Sequence, residues 1–104
     1  MEEKKQDRIR RQMDEAEIEF RKADQFNSCL QDYVNQSASR INIAINNKKL
    51  SQSRMDELMQ LGSDAQNALR TLEEKREERQ YEYKRQMEQY EEEYRLAEKE
   101  ESEE

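Results

Sequence analysis

Few side chains in this sequence could carry covalent chemistry, and none is placed beside a partner. Cys29 is the single thiol and histidine is absent. Neither a zinc-binding set nor a Ser-His or Cys-His pair can be assembled, and no disulfide can form within one chain. Gly62 is the only glycine, too few for a loop that cradles phosphate. Glu91, Glu92 and Glu93 offer the carboxylates of a hard-cation site, but successive residues of a helix point about 100° apart, so the run reads as a solvated face. The expectation is a protein with no catalytic residue, no cofactor and no metal. What remains is the chemistry of surfaces. Between Gln25 and Asn47 the only formal charges are Asp32 and Arg40, and apolar side chains appear there in excess of what one packing seam can use. Phe26, Leu30, Tyr33, Ile41 and Ile43, with Met59 and Leu61 from the following segment, are the candidate partner-binding residues. Ile43 lies about 200° around a helix from Ile41, so one neighbouring helix cannot bury both.

These residues need elements to hold them, and composition names the elements. The chain has 104 residues, 43% charged and 32% hydrophobic, with one glycine and no proline. Good helix formers dominate, and strand formers and turn residues are scarce. The fold class is all-α. From Ile9 the small and apolar residues recur at alternating steps of four and three: Ile9, Met13, Ala16, Phe20, Ala23, Asn27, Leu30, Val34, Ser37, Ile41, Ala44. With Met13 at heptad position a, the seam alternates a and d without a break, and Asn27 occupies an a position, where it is either a buried amide that penalises wrong registers or a partly exposed residue of the seam. The pattern ends at Asn46, Asn47, Lys48 and Lys49. Ser51 or Ser53 can cap a second helix, and Ser51 as N-cap would let Leu50 pack on Met55.

The second helix carries Met55, Leu58, Gly62, Ala65, Leu69 and Leu72 on one seam, crosses a stretch without apolar residues from Glu73 to Gln80, and resumes at Tyr83, Met87, Tyr90, Tyr94 and Ala97. Leu72 to Tyr83 is one heptad plus four residues, a stutter. The expected architecture is an antiparallel two-helix hairpin, a coiled coil with a short turn near 46–52. Helix 1 spans about 5–46, the turn about 47–52 and helix 2 about 53–99, followed by an acidic tail, 100–104, that should fray because negative charge is disfavoured at a helix C-terminus. Folding about Lys49 and Leu50 sets Ile41 against Leu58, Ala16 against Tyr83 and Ser37 against Gly62. The stems of Arg76 and Arg79 would cover Phe20 and Ala23.

Net charge is −7, and basic residues are interspersed with acids, which disfavours nucleic acid. No apolar run approaches spanning or signal-peptide length, so neither membrane insertion nor a cleavable export signal is expected, and the compartment read from sequence is the cytoplasm. A lone two-helix hairpin is marginal, and docking to another helical protein or homo-oligomerisation is the ordinary remedy.

A charged, glycine-poor hairpin of this size resembles the small helical partner proteins encoded with LXG-domain toxins of bacterial type VII secretion systems, which are related in shape to WXG100 proteins. The likeness is closest in "LRTLEEKREERQYEYKRQMEQYEEEYRLAEK", Leu69 to Lys99. In "YRLAE", Tyr94 and Glu98 match the Y-x-x-x-D/E secretion signal that such substrates carry near the end of the second helix. The turn "NNKKLSQS" has no W-x-G, which sets the chain apart from WXG100 proteins proper. The resemblance implies a chaperone or targeting subunit that binds the helical N-terminal domain of an LXG toxin, alongside a second small helical partner, and is co-secreted with its client. The alternative is a self-associating coiled coil acting as a spacer or scaffold.

Overall fold

A computed structural model describes residues 4–47 and 49–103. Two helices, α1 (Lys5–Asn47) and α2 (Gln52–Glu103), account for nearly all of them and pack against each other as a helical hairpin. No strand occurs among the described residues. α1 runs through Asn46 and Asn47, one residue beyond the boundary at 46, because nothing between Lys5 and Asn47 lacks a backbone N–H to propagate the ladder. Lys48, within the expected turn, lies outside the described residues.

The start of α2 follows local chemistry. The Ser51 hydroxyl accepts a hydrogen bond from the Arg54 backbone N–H at 3.3 Å, and the Ser51 carbonyl accepts from Met55 N–H at 2.9 Å. Ser51 is therefore the N-cap, Ser53 lies inside the helix, and Leu50 and Met55 are both half-buried, as a staple requires. Ser51→Ala should lower unfolding free energy by about 1 kcal/mol, measured by chemical denaturation. An unchanged midpoint would mean that water caps the helix equally well.

The far end departs from expectation. α2 continues to Glu103, past the boundary at 99, so residues 100–103 are helical rather than frayed. Strong helix formers extend to this point, Ser102 Oγ donates to the Lys99 carbonyl at 3.0 Å, and Lys5 Nζ lies 3.6 Å from Glu100 Oε2. Glu104 lies outside the described residues.

Residue contacts group the chain into two compact units. One joins residues up to Asp24 with those from Glu77 on; the other is Gln25–Arg76. In the first, Phe20 stacks on Tyr83 with ring centroids 4.2 Å apart and planes 12° apart, and Arg10 Nη2 donates to Tyr94 Oη at 2.5 Å. Ile9, Ala16 and Ala97 are its buried apolar residues. The Arg79 stem lines the same groove as Phe20, Ala23 and Tyr83, and its Nη1 is buried without a hydrogen-bond partner. Rising numbers on α1 meet falling numbers on α2, so the helices are antiparallel.

In the second unit, Asn27 is buried at 3% exposure and its Nδ2 has no hydrogen-bond partner. Half-buried residues follow the seams read from sequence: Leu30, Val34, Ser37 and Ile41 on α1, and Leu58, Gly62, Ala65, Leu69 and Leu72 on α2. The pairing, however, is shifted. Phe20 meets Tyr83 and Ile41 meets Gly62, each four residues further along α2 than a fold about Lys49 and Leu50 would give. Helical Cα–Cβ bonds tilt toward the N-terminus of their own helix. In an antiparallel pair this moves each side chain's meeting point toward higher numbers on the other helix.

One corollary concerns Gly62, which does not mark a close backbone approach to Ser37. A Cβ built there would meet only Ile41 Cγ2, at 3.8 Å, an ordinary contact, and its φ is not positive. Gly62→Ala should therefore stabilise the hairpin by about 0.5–1 kcal/mol, through helix propensity alone, read as a rise in thermal midpoint. A drop would show that Ile41 cannot yield space.

Candidate protein-interaction surface

Each candidate partner-binding residue now has a place. Leu30 and Ile41 are half-buried in the α1 seam, and Ile41 packs beside Gly62. Phe26, Tyr33 and Ile43 are exposed at 67%, 69% and 56%. Their numbers place them on one stripe. Phe26, Cys29, Tyr33, Gln36, Arg40 and Ile43 succeed one another at steps of three and four, the c and g positions of the heptad whose a and d positions form the seam. All six are exposed. Helical c and g positions are adjacent around the wheel, roughly 90° (g) and 130° (c) from the seam centre, so the stripe runs along the outer flank of α1, beside its contact with α2. N-terminal to Phe26 the same positions carry Gln12, Glu15, Glu19 and Lys22, so the apolar character is confined to residues 26–43. Phe26, Tyr33 and Ile43 are candidates from composition alone, and it is their three-four spacing through Cys29, Gln36 and Arg40 that makes them one continuous second heptad.

Met59 and Leu61 are exposed at 60% and 53%, but they do not share a face. Two residues apart on a helix means about 200°, so they flank the α2 seam on opposite sides. Met59 joins Ala38, Ile45 and Gln66 in a groove of roughly 370 Å³ whose floor includes Ile41 and Gly62. Ile45 is one of the off-seam apolar residues near the turn, and Ala38 joins it without any signal in the sequence. The turn-proximal unit thus carries two apolar features, one groove at Met59 and the longer outward stripe of α1.

The signal-like pair lies in the other unit. Tyr94 is half-buried, its hydroxyl accepts from Arg10, and the Arg10 guanidinium stands 5.5 Å from its ring centroid. Glu98, one turn on, is exposed. Exposed large apolar residues here, Ile18, Tyr81 and Leu96, are isolated.

Electrostatics add little structure. The ion pairs are solvent-exposed, as in Arg21 with Glu17 at 2.6 Å and Arg95 with Glu92 at 2.6 Å. Such pairs contribute only a few tenths of a kcal/mol. The Glu92 carboxylate raises the Arg95 pKa, first by accepting its hydrogen bond and then by charge. Among the described residues no group of three or more His, Cys, Asp or Glu side chains is placed to hold a metal ion, and no helix is long and apolar enough to cross a membrane. No family model, curated protein or solved structure matches this chain.

Proposed function

We propose that this protein is a protein-binding helical hairpin that docks an amphipathic helix of a client along the outward stripe of α1. The carrying observation is the second heptad: Phe26, Tyr33 and Ile43 stand exposed at coiled-coil spacing on a helix whose first heptad is already spent on α2. Helix-in-groove recognition reads anchors at that spacing. Contiguous exposed apolar patches are often functional, and this one gives way at its N-terminal end to Lys22, Glu19 and Glu15.

The resemblance to partners of LXG-domain toxins supplies the biological frame. In that frame the hairpin is a chaperone or targeting subunit, binding the helical N-terminal domain of a toxin in the cytoplasm and leaving the cell with it. Tyr94 and Glu98 would then act as the export signal, with Arg10 holding the tyrosine ring in place until the export machinery displaces it.

The test is co-expression with the product of the adjacent gene, followed by purification through that product. A stable heteromer of fixed stoichiometry is expected, and Tyr33→Glu should reduce recovery at least tenfold, since a buried aromatic anchor typically contributes 2 kcal/mol or more. Recovery unaffected by Tyr33→Glu and by Ile43→Glu would move the client contact off this stripe.

A further inference from the structure

We infer that the outward stripe of α1 also closes on a second copy of this chain, antiparallel about a twofold axis between Val34 and Asn35, so that the isolated protein covers the surface it offers a client. This rests on the reading of the stripe as a helix-docking surface and identifies a partner for it.

The first argument is charge. Asp32 and Arg40 are the only formal charges from Gln25 to Asn47. Both are exposed, and neither has an ion-pair partner among the described residues. Arg40 lies in the stripe and Asp32 borders it. In a parallel pair, Arg40 would face the second copy's Arg40 and Asp32 its Asp32, like charges at close range. In the antiparallel pair, Phe26 faces the second copy's Ile43, Tyr33 faces its Gln36, and Arg40 faces its Cys29. The second copy's Asp32 then lies one helical turn from Arg40, about 4.5 Å along the axis, within reach of a guanidinium. The twofold axis makes each such contact twice.

The second argument is area. Aromatic side chains offer about 150–250 Å² each, so Phe26 and Tyr33 at two-thirds exposure contribute on the order of 250 Å², and Ile43 adds about 100 Å². With Cys29, Gln36 and the Arg40 stem, all exposed, the stripe offers on the order of 600 Å², the low end of the roughly 800 Å² per partner of a standard-size interface, and about half of it is apolar.

The experiment uses the full chain alone. Analytical ultracentrifugation should show a dimer at about 0.1 mM, and Tyr33→Glu a monomer with unchanged helical circular dichroism, since this ring is exposed in the hairpin. Asp32→Arg should weaken the dimer about tenfold, and adding Arg40→Asp should restore it to within a few-fold. Orientation is read by thiol oxidation. Antiparallel pairing holds the two Cys29 residues about 16 Å apart along the axis, beyond disulfide reach, so the native chain stays unlinked while Arg40→Cys yields a covalent dimer. Residues 29 and 40 of one helix are as far apart, which excludes linkage within the chain. Efficient linkage through native Cys29, or a monomer at about 1 mM, would overturn the inference. A chain that is monomeric alone yet loses its client on Tyr33→Glu would overturn the dimer and leave the docking reading intact.

Discussion

Replacing Phe20 by alanine should destabilise the hairpin by about 2–3 kcal/mol, less than the 3–5 kcal/mol of a fully buried phenylalanine because the ring is only half-buried. The loss would combine the ring's own burial with its stacking on Tyr83 at 4.2 Å, an interaction of about 0.5–1.5 kcal/mol beyond area. The position is unusually dependent on that ring. The neighbouring stretch of α2 supplies no apolar residue, and the groove floor is completed by Arg79, whose Nη1 is already buried without a partner. Removing Phe20 leaves that guanidinium facing a cavity. Urea unfolding followed at 222 nm measures the effect. A change under about 0.5 kcal/mol would mean that Arg79 and Tyr83 collapse into the space at little cost.

Asn27→Leu should act in the opposite direction, raising stability by about 1–2 kcal/mol. Asn27 is the one buried polar residue of the described chain, at 3% exposure, and its Nδ2 has no acceptor. A donor buried without a partner costs about 1–3 kcal/mol, and leucine, with the same branching and somewhat greater bulk, would recover apolar burial at an a position. The gain should come with looser specification, since an apolar residue no longer penalises slipped pairings. The same denaturation experiment reads the first effect and sedimentation reads the second. A destabilised Asn27→Leu would imply that an ordered water accepts from the amide in solution.

Much of this architecture was legible in the residues themselves. The four-three seam of α1, an N-cap at Ser51 or Ser53, the seam of α2 and the cover that Arg79 lends to Phe20 and Ala23 all follow from periodicity and side-chain chemistry, which act locally; the choice of Ser51 came from its hydrogen bond to Arg54. Two things did not follow. The pairing across the hairpin was displaced by four residues because a count from the turn ignores the tilt of side chains along their own helices. α2 runs on to Glu103 because uninterrupted helix propensity outweighs an unfavourable helix-end charge effect of a few tenths of a kcal/mol.

The candidate surface was half legible. Its exposed members were found by the simple excess of apolar residues near the turn. Their division was not, because Met59 and Leu61 were grouped by proximity in sequence when two residues on a helix are nearly opposite. Leu30 and Ile41 illustrate the same limit from the other side. They are apolar members of the uncharged stretch, and only their burial separates the seam they occupy from the stripe beside it.

The double use of α1 between Phe26 and Ile43 has a consequence for how this segment can change. Positions a and d face α2, positions c and g form the outward stripe, and only b, e and f are left free of either heptad. A single-residue insertion or deletion inside that window rotates everything beyond it by about 100° and so spoils both patterns at once. α2 is different: across its stutter the seam resumes at Tyr83 in a frame displaced by four residues, so its heptad phase is not constant along the helix. The middle of α1, which must hold two patterns in phase at once, is therefore the part of the chain least able to accept a change of length.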